Sequence, residues 1–290
     1  YPDMLDYCYL VNPYFNRSGI IDEMQAHFRT LVSKYPAGMA VNSALASTCW
    51  GIKPEYIIPG NGAAELIKAL TENLDGKVGV VRPTFEEYPN RLSAEQVVTF
   101  VPQDESFRYG ASDMIEFFGA NPVETLLLIN PDNPSGNFIP LEGVHQLAQW
   151  CEERGMRFVL DESFVDFSVG YAHNSFLDNS LMEKYPHMCV LKSISKSYGV
   201  PGLRLGILCS ADTDLIARMK KQVSIWNINS FAEFFMQIYP KYRTDYQKAC
   251  DQFIQARADF EVALRKIPFL RVMPSQANYF FLEVPPPYRP

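Results

Sequence analysis

The stretch Leu191-Lys192-Ser193-Ile194-Ser195-Lys196-Ser197-Tyr198-Gly199-Val200-Pro201-Gly202-Leu203-Arg204-Leu205-Gly206 decides how this chain is read. It sets Lys196 behind two hydroxyl residues, then a Gly-Val-Pro-Gly turn, then an arginine at the edge of the next apolar run. A lysine that attacks a carbonyl must shed its proton near neutral pH, and an enclosed site with neighbouring positive charge allows that. Ser193, Ser195 and Arg204 are the residue types that hold a phosphate, and a guanidinium does so with two parallel N–H bonds. Taken alone, the stretch also reads as a solvated loop between two strands with an incidental lysine.

Outward from it, apolar runs alternate with helical spacing. Strands are expected at Val78–Val81, Val97–Val101, Leu126–Ile129, Phe158–Leu160, Met188–Leu191 and Leu205–Leu208, with a shorter one at Ile57-Ile58. Helical spacing is clearest over Ile20–Lys34, Ala40–Cys49 and Leu141–Arg154. Continuous apolar strands between helices predict an α/β fold, a mostly parallel sheet with helices on both faces. After about Asp212 the texture changes to two long helical stretches, Asp212–Val223 and Phe231–Lys266, then strand-like Phe269–Met273 and Asn278–Val284. The expected division is an N-terminal arm and helix over 1–34, a large domain over 35–211, and a small α+β domain over 212–290. The chain stops abruptly at Pro285-Pro286-Pro287, so that last domain is expected to be incomplete.

Composition bounds the function. Hydrophobic residues make up 47% of 290, enough for a sizeable core, and the net charge of −7 comes without a basic block. That argues against nucleic acid as the main partner. Six cysteines and four histidines show no metal-ligand or redox spacing, so buried thiols in a reducing compartment are expected. Tyr1 to Tyr9 carry no leader pattern, and no run of about 18 apolar residues exists to span a bilayer. The expected location is the cytoplasm, with no membrane partner.

The chemistry-bearing residues cluster at strand ends, where open α/β sheets bind ligands. Gly60-Asn61-Gly62-Ala63-Ala64-Glu65 opens a helix, whose first N–H groups favour an anion; a plain strand–helix turn is the other reading. Asn130-Pro131-Asp132-Asn133-Pro134-Ser135-Gly136 is a stiff turn that could aim the Asn133 amide at a ligand, or serve only as a turn. Asp161 ends a strand in apolar surroundings, where a carboxylate needs a partner such as a protonated pyridine nitrogen, or caps a helix. Tyr88 could stack on a flat ring or lie in the core. A lysine able to form an imine beside a phosphate cup points to pyridoxal phosphate.

These motifs, in this order from about Asn12 to Glu283, resemble the fold-type I pyridoxal-phosphate enzymes of the class I/II aminotransferase superfamily. Within it the chain resembles the branch of histidinol-phosphate aminotransferases and threonine-phosphate decarboxylases. The resemblance implies that Lys196 forms the Schiff base with the cofactor and Asp161 partners its ring nitrogen. It implies that Asn133 donates to the ring hydroxyl and Tyr88 stacks on the ring. Ala63 and Ala64 would hold the phosphate through backbone N–H groups, with Ser193, Ser195 and Arg204 completing the cup. Tyr35 would reach the phosphate of a neighbouring subunit, implying a homodimer with a shared active site, and Tyr14 would approach the substrate.

The sequence departs from the family twice. Phe164 stands where many aminotransferases have a tyrosine, which leans toward the decarboxylases, as do Trp226-Asn227-Ile228-Asn229 and Gly199-Val200-Pro201-Gly202-Leu203-Arg204. The family's carboxylate-binding arginine lies beyond the end of the chain, and neither Arg271 nor Arg289 fits its motif. The resemblance therefore implies an aminotransferase first, moving an amino group between an amino acid and a 2-oxo acid or a phosphorylated or phosphonylated amine. A decarboxylase of a phosphorylated amino acid comes second. A domain of a larger fused or regulatory protein is the third reading, and a binding protein without cofactor the last.

Overall fold

The computed structural model of the protein describes residues 10–15 and 19–287. Of the expected N-terminal arm and helix, residues 1–9, Cys8 among them, and 16–18 lie outside this range, as does Arg289. The helices are α1 (Gly19–Ala26), α2 (Phe28–Ser33), α3 (Met39–Trp50), α4 (Ala63–Thr71), α5 (Ala111–Ala120) and α6 (Leu141–Glu152). They continue with α7 (Asn179–Lys184), α8 (Ile194–Ser197), α9 (Thr213–Gln222), α10 (Ser230–Ile238) and α11 (Arg243–Leu264). The strands are β1 (Ile57–Asn61), β2 (Val78–Val81), β3 (Val97–Phe100), β4 (Thr125–Ile129), β5 (Arg157–Asp161), β6 (Met188–Ser193) and β7 (Leu205–Cys209). A separate two-stranded ribbon pairs β8 (Arg271–Val272) with β9 (Leu282–Glu283).

The main sheet runs in the order β1-β7-β6-β5-β4-β2-β3. Pairings among β2 to β6 are parallel, and β7 alone runs antiparallel to both its neighbours, β1 and β6. Alternate side chains of each strand enter opposite cores. Leu126, Leu128, Phe158, Leu160 and Val190 face one, with α5, α6 and α10, and Leu127, Ile129, Val159, Cys189 and Leu191 face the other, with α4 and α9. Each fully buried leucine, isoleucine or phenylalanine contributes roughly 1.5–3 kcal/mol, so both faces drive the sheet's assembly. This is the mostly parallel α/β fold expected from the uninterrupted apolar runs.

Two helical stretches read as continuous are broken. The Ile20–Lys34 stretch divides at His27, whose ring nitrogen donates to the Glu23 carbonyl at 2.9 Å and whose ring packs on Phe234. The Phe231–Lys266 stretch divides at a tight turn over Tyr239–Tyr242, where Pro240 has no N–H to give the ladder. Among the described residues, no helix is long and apolar enough to cross a membrane.

One buried carboxyl holds the chain as it leaves β5. Glu162 is 1% exposed and accepts from the Ser175 hydroxyl at 2.5 Å and the Phe176 N–H at 2.6 Å. Burial pushes its carboxyl up to about 7, against the pull of Lys192 and those two donors. A raised folded-state value means that its contribution to stability is fully present below the ordinary carboxylate range. It is lost as pH rises through 7. Between about pH 4 and pH 8 the wild-type unfolding free energy should therefore fall by on the order of 3 kcal/mol more than that of Glu162→Gln. Urea titrations across that range test this, and parallel pH profiles for the two proteins would reject it.

Candidate functional site

The strand ends converge where β7 reverses direction. Because β1 and β7 pair with Gly60 opposite Gly206 and Asn61 opposite Leu205, the turn after β1 lies against Arg204, just before β7. Gly62 has φ +76°, and a Cβ there would sit 2.5 Å from Arg204 Nη2; one on Gly206 would sit 2.6 Å from the Ala63 nitrogen. Neither position admits a side chain without displacement. Ala63 and Ala64 open α4, so their N–H groups have no partner within the helix. Glu65 ties the turn down, accepting from the Asn61 N–H at 2.7 Å and from Asn227 Nδ2 at 2.8 Å.

Arg204 is itself left-handed, with φ +54°, and makes no ion pair among the described residues. Ser193, at the end of β6, donates its N–H to the Ser163 hydroxyl at 3.1 Å. Ser195 is 4% exposed, yet its hydroxyl oxygen has no hydrogen-bond partner among the described residues. A buried hydroxyl without a partner, an uncompensated guanidinium and free helix N–H groups beside two obligatory glycines form a donor set that fits a phosphate.

Next to this cup, Lys196 sits half-buried on the short helix α8. Burial holds its amine below the ordinary lysine range, Arg204 adds to the effect, and Asp161 opposes it. Asp161 ends β5 and is 4% exposed, accepting from the Tyr88 hydroxyl and the Ser163 N–H, each at 2.8 Å. Burial pushes its carboxyl up against these donors and Lys196. Tyr88 is thus held beside the carboxylate through its hydroxyl, with its ring 2% exposed.

The turn after β4 presents Asn133 half-buried, its amide free of hydrogen bonds among the described residues. Asp132 stiffens that turn by accepting from the Ser135 N–H at 3.2 Å and from the Ser135 hydroxyl. Burial raises the Asp132 carboxyl to about 6. The Tyr279 hydroxyl donates to the Asp132 carbonyl at 2.7 Å, and its ring stands edge-on to Phe164, centroids 5.2 Å apart. Phe164 is 5% exposed and brings no polar atom. Sequence reasoning missed Ser163 and Tyr279; the first is visible only as a serine two residues past a strand-end aspartate, and the second lies over 100 residues away in the chain.

Tyr14 lies half-buried in the turn after Asn12, whose side chain accepts its N–H at 2.9 Å. The Asn12 N–H in turn donates to the Lys196 carbonyl at 2.9 Å, which brings Tyr14 to the lysine's side of the cup. Tyr35 stands apart, 80% exposed, its ring 4.5 Å from that of Trp226.

Comparison with known proteins gives the family. The chain is 33% identical over 281 residues to the CMP-5'-(3-aminopropyl)phosphonate synthase of Streptomyces rubellomurinus, covering 96% of this chain and 44% of that protein. It therefore spans less than half of that relative's length. It is 29% identical over 293 residues to the L-serine phosphate decarboxylase of Sulfurospirillum multivorans, covering 97% and 74%. The solved structure of a decarboxylase from Sulfurospirillum multivorans superposes with a TM-score of 0.86 at 29% identity, covering 99% of this chain and 80% of that one. The sequence model of the family "Aminotransferase class I and II" matches residues 29–289. The chain belongs to that family, whose enzymes use pyridoxal phosphate.

Proposed function

We propose that this protein is a pyridoxal-phosphate-dependent decarboxylase of a small amino acid bearing a phosphate or phosphonate group. The observation that carries this reading is Phe164. Its apolar ring, edge-on to Tyr279, stands where the family resemblance puts a tyrosine in many aminotransferases. Similarity to a relative named as an L-serine phosphate decarboxylase supports it. This reading puts first the decarboxylation that the sequence placed second. Transamination remains the second reading, since the chain's family takes its name from that reaction.

When bound, pyridoxal phosphate supplies an electron-withdrawing ring that stabilises the electron pair left at the substrate Cα. The residues supply the rest. Arg204, Ser193, Ser195 and the N–H groups of Ala63 and Ala64 would grip the phosphate. Asp161 would keep the ring nitrogen protonated; a buried carboxylate gains a counter-charge there, and Tyr88 and Ser163 hold it in place. Asn133 would donate to the ring hydroxyl. Tyr88, expected from sequence to stack on the ring, instead packs its own ring in the core beside α4 and steadies Asp161 through its hydroxyl. Lys196, whose amine is held below the ordinary lysine range by burial and by Arg204, would be the amine that joins the cofactor aldehyde. The incoming substrate, arriving as an ammonium, would release Lys196 and leave it carrying a proton; once the Cα–carboxylate bond has broken and CO2 has left, Lys196 would deliver that proton to Cα. Tyr14 would border the substrate.

We further propose a homodimer with a shared site. Exposed Phe28, Val32, Tyr35, Ile225 and Trp226 gather where α1, α2 and the start of α10 meet. A second copy covering this face would bring its Tyr35 hydroxyl to the phosphate cup of the first.

Full-length protein loaded with pyridoxal phosphate should release CO2 from L-serine phosphate and leave glutamate unconverted. Glutamate-dependent formation of a 2-oxo acid, without CO2 release, would establish transamination instead. Lys196→Ala should abolish the visible absorption of the loaded protein and slow CO2 release by about 10²–10⁴-fold. Unchanged absorption in that variant would remove the lysine from the mechanism. Tyr35→Phe should weaken retention of the cofactor about tenfold on dialysis, the loss of one hydrogen bond to a charged group, while sedimentation still shows a dimer.

A further inference from the structure

Beneath the turn that carries Lys196 lies a buried cluster that the steps above leave unused. Lys192 sits near the end of β6, and Asp166 on the helical turn that follows Asp161. Lys192 Nζ lies 2.7 Å from Asp166 Oδ1, with side chains only 4% and 9% exposed. The other oxygen, Asp166 Oδ2, accepts from the Ser197 hydroxyl at 2.8 Å. The Ser197 oxygen in turn accepts from the Tyr246 hydroxyl, on α11, at 2.8 Å. Tyr246 stacks on Tyr198 with ring centroids 4.1 Å apart and planes 9° from parallel. The two residues that follow Lys196 are therefore both held from behind.

A buried ion pair is weak evidence for stability, because desolvation of both charges offsets much of their attraction. What this one provides is direction. Each Asp166 oxygen has one donor, and the donors come from different elements. The helix α8 has four residues, too few for its own hydrogen bonds to fix its orientation. Its alignment is set from outside, by the Asn12 N–H on the Lys196 carbonyl at one side and by Asp166 on Ser197 at the other.

We propose that Asp166 is a positioning residue for Lys196, acting through Ser197: the carboxylate, anchored by Lys192, orients the turn that carries the reactive amine beside the phosphate-type donors. The inference rests on the reading of Lys196 as the cofactor-linked lysine. Lys192 takes no part in that chemistry; its charge is spent on Asp166.

Asp166→Asn would strand Lys192 in the interior, so the test uses Ser197→Ala, which leaves the ion pair intact, and Tyr246→Phe, which removes the outermost link. Full-length protein is loaded with pyridoxal phosphate, and two properties of the bound cofactor are read. One is its visible circular dichroism, which reports its orientation. The other is its rate of release by hydroxylamine, which must displace Lys196. Misplacing a reacting group by a fraction of an ångström changes rates steeply, so Ser197→Ala should alter the release rate about tenfold and cut the visible dichroism by about half, with cofactor still bound at one per chain. Tyr246→Phe should move both in the same direction by less. Dichroism and release rates superimposable on wild type in Ser197→Ala, whatever its melting temperature, would overturn the proposal. A wild-type protein that acquires no visible band would sink the cofactor reading as well, which separates the two failures.

Discussion

The close approach of the turn after β1 to the start of β7 is the constraint on which the site depends. With a Cβ on Gly206 only 2.6 Å from the Ala63 nitrogen, and one on Gly62 only 2.5 Å from Arg204 Nη2, the two segments touch backbone to backbone. That contact aims the first N–H groups of α4 and the guanidinium of Arg204 at one point. It requires β7 to run against its neighbours, because only then does the beginning of β7 meet the end of β1. The single antiparallel strand in an otherwise parallel sheet is the architectural price of the cup.

Around the cup the buried charges are arranged for a guest of opposite sign. Asp161, Glu162 and Asp132 all leave the strand ends as buried carboxyls, and burial raises all three. Two are satisfied internally, Glu162 by Ser175 and Phe176 and Asp132 by Ser135. Asp161 faces Lys196 and a ligand space, held by two neutral donors. It is this carboxyl, held by Tyr88 and Ser163 and near Lys196, that the proposed function pairs with the cofactor's ring nitrogen.

The strands were legible because each is apolar on both faces, a pattern that only a doubly covered sheet explains. Asp161 and the Gly60–Gly62 turn stood out because a strand-end carboxylate needs a partner and paired glycines permit close backbone approach, whereas Lys196 and Asn133 stood out only through the motifs around them. The helix break at His27 was not, since the side chain that takes the Glu23 carbonyl belongs to an ordinary helical position. The partners of Phe164 and Ser197 come from Tyr279 and Tyr246, which no local pattern connects to a strand-end loop. Lys192 carried a signal that went unread: a lysine at the end of the run Met188-Cys189-Val190-Leu191 has to find a carboxylate.

The pairing of β1 with β7 also sets the order in which the protein can be completed. Ile57 meets Cys209 across the ladder, so the strand made near the beginning of the chain waits about 150 residues for its partner, a separation that makes closure a late event. Until β7 is in place, β1 is an apolar strand without its ladder neighbour, and the phosphate cup has only one of its two walls. The donor cup between the start of α4 and Arg204 can therefore appear only after that last strand has been inserted. The cofactor is thus a ligand of the finished sheet, and its binding reports that the longest-range pairing in the fold has been made.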